Sequence, residues 1–155
     1  MGHKVVGALV AGVILSMSAQ VSAADFRPFS PVQDVCPTCP KSAEDQITLN
    51  NDTKIRAKIV AENDDFFVLA RYGEVRILPK ERVLSVEWAN NSQPSGLDMQ
   101  DQVLLTTGHV VTGSIIEEQD KPAYFKIQSS INQQTYIVFK AQAEAVYKGG
   151  KRVMN

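Results

Sequence analysis

The sequence predicts an all-β protein: two tandem five-stranded small barrels preceded by a proline-rich extended segment. Three observations predict it. The chain repeats itself, Asp45-Gln46-Ile47-Thr48-Leu49 returning as Asp101-Gln102-Val103-Leu104-Leu105 at a shift of 56. At the same shift Ile55, Ala57, Ile59 and Glu62 meet Val111, Gly113, Ile115 and Glu118. Within each copy hydrophobicity alternates with a period of two, the mark of a half-buried strand. The offset then grows only in turns: Phe67 and Leu69 meet Phe125 and Ile127 at 58, while Ile77, Lys80 and Val86 meet Ile137, Lys140 and Val146 at 60. Insertions there lengthen loops at little cost.

Residues 1–23 read as an export signal. Lys4 supplies the positive start, Val5 to Met17 is apolar apart from Gly and Ser, and Val21-Ser22-Ala23 is a small-residue cleavage site, with Ala24 as the alternative end. The apolar run falls short of the roughly 20 residues of a bilayer span. Residues 24–44 form a tether with Pro28, Pro31, Pro37 and Pro40, a density that forbids a helix or a central strand. Phe26, Phe29 and Val32 are candidates to dock it on the surface of a barrel.

The first repeat spans 45–88. Ile55, Ala57, Ile59 and Ala61 alternate with Lys54, Arg56 and Lys58, so one face points inward and a basic stripe outward. Asn63-Asp64-Asp65 turns into Phe66–Ala70, and Tyr72-Gly73-Glu74 turns into Val75–Leu78. Pro79-Lys80-Glu81-Arg82 allows one tight helical turn before Val83–Trp88. Residues 89–99 have a linker's composition, the second repeat spans 100–147, and 148–155 is a basic tail expected to fray. Gly108 supplies a positive φ in the first turn of the second copy, where the first has Asp52. Gly113 in place of Ala57 implies a bend or a close backbone approach. Five short strands per copy fit an SH3-like barrel. One such unit is small for a core of its own, so the two are expected to support each other or to oligomerise.

Asp-x-Val-x-Leu-x-x-Gly-x-x-x-x-Gly-x-Ile, as Asp101 to Ile115 stands here, resembles the first half of the Sm-like fold. Glu62-Asn63-Asp64-Asp65-Phe66-Phe67-Val68-Leu69 and Tyr72-Gly73-Glu74-Val75-Arg76-Ile77 resemble repeats of bacterial envelope proteins. The resemblance implies small SH3/Sm-like barrels that associate through sheet edges. It implies nothing about RNA, because Phe66-Phe67 and Leu78-Pro79 stand where RNA-binding Sm proteins carry Met-Asn and Arg-Gly.

Without residues 1–23 the chain keeps 15 Lys and Arg against 17 Asp and Glu, a net charge of −2. A nucleic-acid binder would be clearly basic, so nucleic acid is not an expected partner. No membrane span is expected after signal removal. The expected location is the periplasm or the cell surface.

Cys36-Pro37-Thr38-Cys39 is the sharpest local motif. A thioredoxin-type site wants the pair at a helix start in a βαβ unit, and Pro40 follows at once. A haem attachment wants His at position 40. A zinc site wants four ligands, and after the signal only His109 joins the two cysteines, so one chain cannot close a site. A local disulfide stiffening the tether is the plain reading; a bond or metal shared between subunits, and thiol–disulfide exchange, are the alternatives. No cofactor is expected. His109 reads as a solvated turn residue, and Asp64-Asp65 and Glu117-Glu118 as solvated loop charges. Lys54, Arg56 and Lys58, extended by Arg71 and Arg76, form the candidate binding face; the plain alternative is solubility or edge protection. The second copy has Val110, Thr112 and Ser114 there, suited to pack on a partner or on its sister repeat.

The functional expectation is a non-enzymatic interaction or assembly module. It would bind an envelope or surface protein, or a neighbouring subunit, through barrel edges and the tether. Binding of a cell-wall or other anionic polymer through the basic face is the second reading. A thiol-disulfide redox protein using Cys36 and Cys39 is the third.

Overall fold

The computed structural model describes Phe26, Pro28, Phe29 and residues 43–154. The export signal, Val32 and the Cys36/Cys39 pair lie outside the described residues. The protein is all-β. Strands β1 (Asp45–Leu49), β2 (Lys54–Glu62), β3 (Phe66–Arg71), β4 (Glu74–Pro79) and β5 (Val83–Glu87) form one antiparallel sheet in the order β4-β3-β2-β1-β5. Strands β6 (Asp101–Leu105), β7 (Val110–Asp120), β8 (Ala123–Ser129), β9 (Thr135–Phe139), β10 (Ala143–Lys148) and β11 (Lys151–Met154) form a second, in the order β11-β10-β6-β7-β8-β9. Without β11 the two orders coincide.

The repeat in the sequence is a repeat in the backbone. Asp52 and Gly108 both adopt positive φ, 61° and 79°, in turns closed alike. The Leu49 N–H donates to the Thr53 carbonyl at 2.9 Å, and the Leu105 N–H to that of His109 at 2.8 Å. Lys80–Arg82 and Lys140–Gln142 each make one 3₁₀ turn. Register slips beside Ile59 in β2 and beside Ile115 in β7, the same place in each copy; such bulges bend a strand and increase its twist. A repeated carboxylate fixes both. One Asp45 oxygen accepts the Ile59 N–H at 2.9 Å and the other the Ala89 N–H at 3.0 Å. Asp101 does the same for Ile115 at 2.9 Å and Gly149 at 3.1 Å. Gly113 is the close approach its sequence position implies: a Cβ there would lie 1.9 Å from the Gln128 carbonyl oxygen.

Three expectations are corrected. Neither sheet closes into a barrel. Leu78 of β4 and Val83 and Val86 of β5 share the first core, yet β4 and β5 are both edges, so side chains rather than ladder hydrogen bonds fill that gap. In the second sheet β11 takes the free side of β10, which leaves β10 unable to pair with β9. The tail expected to fray is that strand, Val146 pairing with Met154 and Lys148 with Lys151. The linker is not free either: Leu97, in a 3₁₀ turn entered at Gly96, is buried in the first core.

Each sheet has its own core. Ile47, Leu49, Ile55, Ala57, Ile59, Leu69 and Leu78 fill the first, and Val103, Phe125, Ile127, Val138 and Val146 the second. A third cluster joins them: Ala61, Phe66 and Val68 pack on Leu104, Ala145 and Tyr147, flanked by Val75, Ile77 and Val110. The expected mutual support of the repeats is this contact.

Candidate binding surfaces

The contact between repeats is completed by the turn after β2. Asn63 is buried, and its side-chain oxygen accepts the N–H groups of Asp65 and Phe66, both at 2.8 Å. Its amide donates to Gln102, whose own amide donates to the Glu62 carbonyl at 3.1 Å. Tyr147, edge-on to Phe66 with ring centroids 5.3 Å apart, donates its hydroxyl to Asp65 at 2.6 Å. Burial first, and then that hydrogen bond, push the phenol above its ordinary pKa. Lys151 pairs with Asp64 at 2.8 Å. Asp64 and Asp65 are exposed in a turn, as expected of solvated loop charges, and they also bind one repeat to the other.

Glu117 and Glu118 are exposed, as expected, but belong to a strand rather than a loop and are paired within the second repeat. Both lie in β7. Glu117 takes the Tyr124 hydroxyl and pairs with Lys126 at 3.5 Å. Glu118 meets Lys140 at 2.8 Å and Lys148 at 2.9 Å, and hydrogen bonds from those two hold its carboxyl below the ordinary range. His109 is exposed, as expected of a turn residue. Among the described residues no group of three or more His, Cys, Asp or Glu is placed to hold a metal ion.

The candidate basic face divides. Lys54, Arg56 and Lys58 are all exposed on β2, with Ile55, Ala57 and Ile59 buried between and beyond them. Lys54, Arg56 and Arg71 line a groove of about 300 Å³ together with Phe26, Pro28 and Phe29; Lys58 and Arg76 are not part of it. Phe26 and Phe29 reach it because both are half-buried against the first core, their rings 6.1 Å apart. Arg71 is held by Glu44 at 2.9 Å and lies 4.8 Å from the Tyr72 ring. Arg76 is held by Glu74 at 2.7 Å. The groove also contains Arg82, which sequence reasoning missed. The Asn50 N–H donates to the Arg82 carbonyl at 3.0 Å, and this fold-back of the 3₁₀ turn onto the first hairpin has no periodic signal.

The second repeat carries its own surface. Val110 packs in the contact between repeats, and Thr112 is buried with its hydroxyl donated to Gln100 at 3.1 Å; this side faces the sister repeat. On β9 Ile137 and Phe139 are exposed, 60% and 50%. Nothing in a one-chain periodicity distinguishes that strand from its covered counterpart β4.

Fold and surfaces together define a class: an all-β protein of two antiparallel sheets, with a small basic groove on the first and an apolar open end on the second. No family model, curated protein or solved structure matches the chain.

Proposed function

We propose that the chain is a non-enzymatic binding and assembly module, exported to the bacterial envelope or surface, whose two repeats act as small open antiparallel sheets. Support comes from the contact the chain makes with itself, in which the outer side of β3 and β4 is covered by Leu104, Ala145 and Tyr147 of the other repeat. The fold thus receives a sheet on that face. The second repeat has the corresponding face, with Tyr124, Lys126, Thr135 and Ile137 in the places of Phe66, Val68, Val75 and Ile77, and Ile137 and the neighbouring Phe139 are exposed. An envelope protein or a neighbouring subunit can dock there, or add a strand and gain main-chain hydrogen bonds. A photoreactive side chain at Thr135 and, separately, at Ser85 tests this in the producing cell. Discrete adducts at Thr135 with none at Ser85 support it; no adduct at either position removes it.

A second reading has its own observation. Lys54 and Arg56 make no ion pair among the described residues and line the aromatic groove, a combination suited to an anionic polymer such as a cell-wall chain. Polyphosphate co-sedimentation that ignores Lys54→Glu together with Arg56→Glu would remove it. The thiol redox reading stays with Cys36 and Cys39, outside the described residues.

A further inference from the structure

Among the described residues the two sheets end in four free edges, β4, β5, β9 and β11. Natural proteins blunt such edges with charge, proline or bulges, because unpaired N–H and C=O groups invite another strand. Three of the four are blunted. β11 carries Lys151 and Arg152, and β5 is irregular opposite Leu49. β4 contains Glu74, Arg76 and Pro79, and proline has no N–H to offer. β9 is the same strand in the second copy, and it reads Thr-Tyr-Ile-Val-Phe. Tyr136 replaces Arg76 and Phe139 replaces Pro79, so both protecting devices of β4 are gone.

We propose that β9 is a self-pairing edge: two copies of this chain join antiparallel, β9 to β9, about a two-fold axis through Ile137. This rests on the assembly reading above and names its partner. The seam suits a second copy because the strand has no charge to set against itself. A two-fold centred on Ile137 sets Ile137 opposite its own counterpart, and Phe139 opposite Thr135, all three exposed in the single chain. The charges nearest the seam are already satisfied: Lys126 stands beside Ile137 in the ladder and pairs with Glu117 on its far side at 3.5 Å. Lys126 is therefore already paired when the sheets merge. A five-residue seam is small beside the roughly 800 Å² per partner of a stable complex, so the pairing is expected to be weak and concentration-dependent.

The test uses the chain expressed with its leader, purified as the cell leaves it, with Cys36→Ser and Cys39→Ser throughout so that disulfides cannot join copies. Sedimentation equilibrium is expected to show a monomer–dimer equilibrium. Ile137→Lys, at an exposed site that the fold tolerates, should weaken it about a hundredfold, since like charges then face each other. Mixing Ile137→Lys with Ile137→Glu should restore dimers, because the two-fold sets position 137 against itself. Amide exchange across β9 should slow as concentration rises. A chain monomeric at every concentration, a dimer indifferent to Ile137→Lys, or a charge mixture that fails to pair overturns the proposal. A monomer that still gives Thr135 adducts with another envelope protein overturns self-pairing and leaves the assembly reading standing.

Discussion

Asp45 and Asp101 perform one task in the two repeats, each accepting the N–H of the residue at a bulge and another just past the fifth strand. A second constellation is also shared. Lys80 lies 5.0 Å from the Phe67 ring and 2.9 Å from Glu62; Lys140 lies 5.1 Å from the Phe125 ring and 2.8 Å from Glu118. The outer faces diverge. Where the second repeat meets the first with Leu104, Val110, Thr112, Ala145 and Tyr147, the first presents Thr48, Lys54, Arg56, Ser85 and Glu87 to its surroundings. The bend of the strands dictates the inside of a repeat, and its neighbour dictates the outside.

The sharpest way to break that comparison is at its most divergent pair. Tyr147→Ala removes a buried ring, its edge-on contact with Phe66 and its hydrogen bond to Asp65, and should cost about 3–5 kcal/mol. Glu87→Ala, at the equivalent but exposed place, should stay within about 0.5 kcal/mol. Urea unfolding of the two variants measures both. Equal losses would mean that the contact between repeats contributes little.

The shared carboxylates come next. Asp45→Ala strands two backbone donors, at about 1–3 kcal/mol for each one that water cannot reach. Asp101→Ala should lose less, because Asp45 is buried and Asp101 only half-buried. Denaturant midpoints at constant slope are the readout. Asp101→Ala exceeding Asp45→Ala would contradict the burial difference.

These residues also show what was legible beforehand. Period-two alternation and a matched repeat locate every strand through β10, because side chains that alternate in a sheet must alternate in sequence. Gly108, Asp52 and Gly113 were readable because backbone geometry restricts residue type. Closure was not, since it depends on whether β4 and β5 meet, and no local pattern encodes that distance. The role of β11 was hidden for a related reason: Lys151 and Arg152 look like a solvated tail until Asp64 and Asp65 of the other repeat come within reach. Of the candidate face, the stripe Lys54, Arg56 and Lys58 was legible as alternation. Its division was not, because no local pattern says which of those cations Phe26 and Phe29 would meet where they pack against the first core.

Gly113 and Ala57 give a smaller contrast. Gly113→Ala drives a Cβ into the Gln128 carbonyl, so β7 and β8 must part locally, at about 1–3 kcal/mol by analogy with overpacked cores. Ala57→Gly loses only a methyl group and some chain stiffness, about 1 kcal/mol. Hydrogen exchange at the Gly113–Ser129 end of that ladder should quicken in Gly113→Ala alone.

The mildest effect separates the contact between repeats from the second repeat itself, through pH. The Glu118 carboxyl is held low by hydrogen bonds from Lys140 and then Lys148. Its contribution is therefore complete above the unfolded value of about 4.3 and is lost as pH falls through the lowered folded value. The Tyr147 phenol is held high by burial and then by Asp65. Its contribution is complete below the unfolded value of about 10 and fades as pH rises beyond that, because the unfolded chain gives up the proton first. Stability should thus decline at both ends for reasons that lie in different places. Glu118→Gln should flatten part of the acid decline and leave the alkaline one, and Tyr147→Phe should do the reverse. If Tyr147→Phe left the alkaline decline unchanged in urea titrations across that range, the phenol would not be the group that loosens the repeats from each other.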